Sequence, residues 1–145
     1  MTPSVKITTT HHEGRTLASS GSTWEGPIGY SRAVRVGDQI HVTGTVGVEA
    51  DGQYAPTLAG QSRRAFAIIA AALEALGGKL SDVVRTRIYV TDIKQWQEVG
   101  QVHGELFGEI RPALTMVQVS ALIDADALVE IEVDAVVQAE GSRHP

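Results

Sequence analysis

Apolar and polar residues alternate along residues 39–48. Ile40, Val42, Val46 and Val48 take alternate positions, and His41, Thr43 and Thr45 point the other way. Period two with β-branched side chains predicts a strand. Residues 33–36 (Ala-Val-Arg-Val) predict its partner, with Gly37-Asp38 as the turn between them and Asp51-Gly52 as the turn that ends the run. The period then changes. Over 58–76, Leu58, Ala65, Ile69, Ala72, Leu73 and Leu76 recur at three- and four-residue spacing, while Gln61, Arg64 and Glu74 fall largely off that stripe. This is an amphipathic helix stopped by Gly77-Gly78. Residues 83–90 return to a strand, and Thr91-Asp92 can cap a second helix over about 93–107. That helix carries Trp96, Val99, Val102, Leu106 and Phe107, with Trp96 expected in the core, and Pro112 forbids its continuation. Two strands, about 113–121 and 128–137, close the pattern around a loop with Asp124 and Asp126.

The order strands, helix, strand, helix, strand, strand implies an α+β two-layer sandwich, with two helices on one face of a sheet. The chain of 145 residues suits one domain spanning 1–145, with its core over about 27–137. Residues 15–32, rich in Ser, Gly and Thr, read as a turn-containing lead-in compatible with a hairpin. The N-terminal segment and the tail from Gln138 are expected to be flexible. Two helices leave one sheet face bare. A face bearing Tyr89, Leu114 and Met116 should not stay wet, so an oligomer is expected to cover it.

Strand parity assigns residues to the two faces. Val84, Thr86, Ile88 and Val90 form the row toward the helices; Val83, Arg85, Arg87 and Tyr89 form the other. In the last strand Val129, Ile131, Val133 and Ala135 read as core, which leaves Leu128, Glu130, Glu132 and Asp134 on the bare face. Arg87 is expected to pair with Glu130 or Glu132, in preference to projecting into a pocket as a cation. His41, facing away from the core row, is a weaker candidate for a pocket group.

Composition narrows the chemistry. The net charge is -5, and the basic residues cluster only briefly at Arg63-Arg64 and Arg85/Arg87, which disfavours nucleic-acid binding. Without cysteine there is no disulfide, thiolate metal site or thiol nucleophile. The longest apolar stretch, about 65–76, is interrupted by Glu74 and too short for a bilayer, so no membrane partner is expected and the location is read as cytoplasmic. No metal-ligand spacing, phosphate-binding loop or nucleophile elbow is present, and no cofactor or metal is expected. His11-His12 reads as solvated sequence, Trp24 as a packing anchor in preference to a pocket lid, and His103 has no feature that favours catalysis.

Three segments carry a family resemblance: GYSRAVRVGDQIHVTGTVG (29–47), DVVRTRIYVTDIKQW (82–96) and RPALTMVQVSALIDADALVEIEVDAVV (111–137). In that order and spacing they resemble the Rid (YjgF) family. The resemblance implies a chorismate-mutase-like fold with a mixed sheet, and a homotrimer whose sheets form a central barrel. It implies small-molecule pockets between subunits, and hydrolysis of enamines or imines such as 2-aminoacrylate without a cofactor. By position it makes Glu130 the catalytic carboxylate and places Tyr30, Thr43 and Gly44 in the pocket. It also marks a departure. Where deaminating members carry arginine after Pro-Ala, this chain reads Pro112-Ala113-Leu114-Thr115, and a pocket asparagine corresponds to Gly100. Leu114, Thr115 and Met116 would then form an apolar wall, with Arg87 as the conceivable replacement cation. Burying a substrate carboxylate against leucine costs on the order of several kcal/mol. The expectation is therefore imine or enamine hydrolysis on a substrate other than 2-aminoacrylate. A non-catalytic ligand-binding trimer is the alternative, and endoribonuclease or translation inhibitor comes third.

Overall fold

A computed structural model describes residues 5–138. Seven strands form one mixed sheet in the order β1-β2-β3-β4-β7-β5-β6. They are β1 (Thr8–His12), β2 (Arg15–Ser19), β3 (Ala33–Val36), β4 (Gln39–Val46), β5 (Val83–Val90), β6 (Ala113–Gln118) and β7 (Val129–Val136). Only β5 and β6 run parallel, and the connection between them is helix α3 (Trp96–Phe107). Helix α2 (Leu58–Ala75) links β4 to β5, and a single turn, α1 (Glu25–Ile28), lies between β2 and β3. The helices α2 and α3 pack on one side of the sheet over Ile40, Val42, Ile88, Val90, Val129, Ile131 and Val133, all buried. This is the α+β two-layer arrangement that the periodicity predicts. Among the described residues no helix is long and apolar enough to cross a membrane.

The N-terminal segment is more ordered than its polar composition suggests. Glu13 and Gly14 both have positive φ, 47° and 82°, the backbone of a two-residue hairpin turn whose twist suits the flanking strands. It joins β1 to β2 through five paired positions, from Thr8 opposite Ser19 to His12 opposite Arg15. His11 and His12 are exposed on this edge.

Two register slips change which side chains face the helices. Between Val42 and Thr45 the β4–β7 ladder skips, so Thr45 is buried opposite Ile131 while Val46 joins Glu130 on the bare face. The expected period-two row through residues 40–48 therefore holds only as far as Val42. Between Val83 and Arg85 a second slip buries Val83 and leaves Val84 49% exposed, the reverse of simple parity. An inserted residue exchanges the two faces beyond it.

Helix α2 starts at Thr57, whose side chain accepts the Gly60 N–H. Two residues expected off its core stripe are buried, because the loops above the helix supply polar partners. The Gln61 amide donates to the carbonyls of Ala55 and Asp126, and its oxygen accepts from Leu128 N–H at 2.8 Å. Arg64 Nε donates to the carbonyl of Val48 at 2.9 Å. Gly47 permits the close approach: a Cβ there would run into the Gln61 carbonyl. Helix α3 follows a 3₁₀ turn at Ile93–Gln95 whose N-cap, Asp92, accepts from Lys94 N–H. Its inner side buries Val99, Val102 and Phe107. Trp96, expected in the core, is 52% exposed, because it sits in the first turn with its ring lying near Gly100 rather than against the sheet.

Candidate functional site

The bare face is built from the residues that alternate with the core row of β7. Glu130, Glu132 and Asp134 are half-buried there. Asp134 accepts from Arg87 Nη1 at 3.0 Å and meets His41 Nδ1 at 2.7 Å, so Arg87 is paired, but with neither of the expected acids. The register explains it: Arg87 lies opposite Glu132, yet the Tyr89 hydroxyl already donates to Glu132, and the guanidinium reaches sideways to the next acid in the row. Tyr89 is correspondingly raised above its ordinary pKa, first by that hydrogen bond and then by burial.

Glu130 is treated differently. Among the described residues no hydrogen bond reaches its carboxylate, which lies over the register slip of β4 at Gly44. A Cβ on Gly44 would collide with Glu130 Oε2, so glycine is what lets the acid settle against the strand. Burial pushes the Glu130 pKa up; the nearby Arg32 guanidinium opposes this and Glu132 reinforces it, leaving the value raised. Two cavities meet at this point. A small one of about 280 Å³ is lined by Gly44, Tyr89, Val119, Ala121, Leu122, Glu130 and Glu132. A larger cleft of about 880 Å³ runs from Glu130, Gly44 and Thr43 past Tyr30, Arg32 and Tyr54 to Trp24, Ile28 and Ile123. Gly44 and Glu130 line both.

The cleft's other wall is fixed by a buried ion pair. Arg32, 8% exposed, donates through Nη1 to the Gly44 carbonyl (3.0 Å) and Thr45 Oγ1 (3.3 Å), and through Nε to Ser20 Oγ (3.3 Å). Its Nη2 lies 3.9 Å from Glu25, which also accepts from Ser20 N–H and Ser20 Oγ. Burial pushes the Glu25 pKa up, but the Ser19 and Ser20 hydrogen bonds and Arg32 outweigh it and hold the value below the usual carboxylate range. Glu25 thereby fastens α1 to the sheet, and the Gly29 backbone at φ 87° turns the chain back so that Tyr30 enters the cleft wall beside Arg32. Thr43 Oγ1 donates to the Ser31 carbonyl at 2.6 Å, closing the same wall.

The structure thus brings Tyr30, Thr43, Gly44 and Glu130 together, and leaves Arg87 outside both cavities. Leu114, Thr115 and Met116 line neither cavity of this chain. In the parallel ladder Leu114 lies beside Thr86 and Met116 beside Ile88, so both share the helix side of the sheet rather than the bare face with Tyr89, as parity without the register suggests. Met116 packs on the core and Leu114 is 43% exposed on the edge strand. Gly100 is likewise absent from both linings. His103 is half-buried against the rings of Phe66 and Phe107, with Nε2 3.0 Å from Thr86 Oγ1, and burial lowers its pKa. It serves the packing of α3. Trp24, expected to anchor packing, is 57% exposed and lines the cleft.

Sequence reasoning missed Arg32, Glu25 and Tyr54. Loop residues have no period to betray them, and the Glu25–Arg32 pair spans a turn whose geometry only the fold supplies. Among the described residues no cluster of three or more His, Asp or Glu side chains is arranged to hold a metal.

Comparison with known proteins agrees with this architecture. The family model described as endoribonuclease L-PSP matches residues 22–137. The crystal structure of Rv2704 from Mycobacterium tuberculosis, described as a member of the YjgF/YER057c/UK114 family, is 53% identical with a TM-score of 0.80, covering 85% of this chain and 99% of that one. A RutC family protein of Pyrococcus abyssi is 37% identical over 109 residues, 73% of this chain and 85% of its own. A Dermatophagoides farinae protein named 2-iminobutanoate/2-iminopropanoate deaminase is 33% identical over 115 residues, 77% of this chain and 89% of its own. With a family model spanning nearly the whole described domain and the same fold in its relatives, the chain belongs to the Rid (YjgF) family.

Proposed function

We propose that the protein is a cofactor-independent hydrolase of imines or enamines, acting as a homotrimer on a substrate other than 2-aminoacrylate. The observation that carries this reading is the Glu130 carboxylate, half-buried where two cavities meet and hydrogen-bonded to no described side chain, while Arg87 is committed to Asp134. A carboxylate with a raised pKa is suited to move protons near neutral pH. An imine carbon is already electrophilic. Glu130 takes a proton from a water as the water oxygen bonds to that carbon, and returns it to nitrogen, giving a neutral carbinolamine. The carbinolamine hydroxyl then passes its proton through the same carboxylate to nitrogen, the C–N bond breaks, and ammonia leaves as the carbonyl forms. Tyr30 and Thr43 shape the wall opposite. The relative named as an iminobutanoate/iminopropanoate deaminase supports this class of reaction.

The substrate restriction rests on Leu114. On an edge strand and 43% exposed, it would meet a cleft only across a subunit interface, and it offers no guanidinium to a carboxylate. Ribonuclease activity is disfavoured by the net charge of -5 and by the acids around the cleft. The test is ammonia release from freshly generated imines with and without a carboxylate. Wild type should favour those without one. Glu130→Gln should lose about 10²- to 10⁴-fold. Gly44→Ala should lose activity by displacing that carboxylate, and Leu114→Arg should gain activity on 2-aminoacrylate. Efficient wild-type turnover of 2-aminoacrylate would refute the substrate restriction. Inertness toward every imine would instead leave a ligand-binding trimer.

A further inference from the structure

We infer that the larger cleft holds a bulky aromatic substituent of a substrate lacking a carboxylate, and that Trp24, Ile28 and Ile123 select it. The inference rests on the reading of Glu130 as the reacting end of the cleft. Its first support is size. In a single chain the cleft measures about 880 Å³, which exceeds the need of a three-carbon imine several-fold before a neighbouring subunit contributes its wall. The second is the placement of apolar surface. Trp24, Ile28 and Ile123 are 57%, 61% and 88% exposed, the last being the most exposed large hydrophobic residue described. These three converge on the same cavity that ends at Glu130 rather than forming a flat patch. Trp24 and Ile28 are four residues apart on the turn that Glu25 fastens down, so they present one surface. Tyr30 and Tyr54 continue the wall inward, giving flat faces against which a ring can pack.

The third support is charge. The two guanidinium groups in the lining are matched by protein acids: Arg32 by Glu25 and Arg64 by Glu49, at 3.9 and 3.6 Å. Asp124 and Glu130 remain, against Lys6 alone. The Tyr54 pKa is raised to about 12 by burial first, and then by Asp124, Asp126 and Glu130. Such a cleft repels a carboxylate and accepts a neutral or cationic group.

The inference is tested by binding as well as turnover. Trp96 lies on α3 outside the cleft, so Trp96→Phe leaves Trp24 as the sole indole. In that protein, 2-phenylethylamine should change Trp24 emission saturably, and phenylacetate should bind at least tenfold more weakly. Ile123→Ala should weaken the amine at least tenfold. In turnover, the imine made from 2-phenylethylamine by an amine oxidase should exceed the propylamine imine at least tenfold in kcat/KM, a ratio that Ile123→Ala collapses. A linear, unsaturable response, equal affinity for phenylacetate, or indifference to Ile123→Ala would overturn the inference. Turnover without aromatic preference or aromatic binding sinks it alone. Saturable binding with no turnover of any imine sinks the hydrolase reading and leaves the aromatic site standing.

Discussion

Glu25 and Glu130 both feel the Arg32 guanidinium, yet the fold uses them in opposite ways. Glu25 is buried and accepts from Ser20 twice, with Arg32 beside it, and its pKa falls. Glu130 is half-buried, lacks such donors, and its pKa rises. Among the described residues every fully buried side-chain nitrogen or oxygen has a partner, so the Glu130 oxygens, which accept from no protein donor, keep contact with solvent in the cleft. Half-burial without donors still costs a carboxylate free energy, and under the proposed reading that cost is offset by its use in the reaction. The first acid belongs to the scaffold and the second lines the cleft that scaffold frames.

The comparison is broken most severely by removing the shared cation. Arg32→Met leaves Glu25 buried without its counter-charge and frees the Gly44 carbonyl. Loss of one partner of a buried pair costs about 3 to 5 kcal/mol, and the 3.9 Å separation argues for the lower end. Urea unfolding should show that loss, and a change below about 1 kcal/mol would mean that Glu25 relaxes into water.

A smaller effect is expected from Glu25→Gln, which keeps shape but removes charge-assisted bonds, for a loss of about 1.5 to 3 kcal/mol at neutral pH. The folded-state pKa of Glu25 lies below 4.5. Its stabilisation is thus complete above pH 4.5 and fades as pH falls through the folded value. Wild type and variant should converge in acid. A difference that stayed constant down to the lowest pH would refute the assignment.

How much of this was readable in advance depended on whether a residue obeys a period. Ile69 and Leu73 on α2, or Ile131 and Val133 on β7, announce their faces because burial repeats every 3.6 or 2 residues. Thr45 and Val84 did not, since each lies at a register slip that no alternation encodes. Parity alone puts Leu114 and Met116 on the bare face, whereas parallel pairing with Thr86 and Ile88 directs them to the helix side. Of the site, the positions Tyr30, Thr43, Gly44 and Glu130 were legible through family resemblance, and they line one cleft. Arg32 and Glu25 were not, although they hold that cleft together. Their partnership depends on a turn, a carbonyl and a serine that meet only after folding.

The smallest expected effect has the opposite sign and sharpens the contrast most. Burial raises the Glu130 pKa above 4.5 in the folded chain, so the folded state holds that proton more tightly than the unfolded state does. The stability this group contributes is present below pH 4.5 and is lost as pH rises through the folded pKa. Glu130→Gln cannot ionise and keeps the neutral form at every pH. It should match wild type near pH 4, pull ahead as pH rises past the folded value, and hold a constant lead at neutral pH, on the order of 1 kcal/mol or less for a half-buried group. Thermal unfolding across pH 4 to 8 measures this directly. A variant less stable than wild type at pH 7 would mean that Glu130 has donors in solution and belongs, like Glu25, to the scaffold. A variant that is more stable yet inactive would show that the fold tolerates the uncompensated acid for the sake of the reaction.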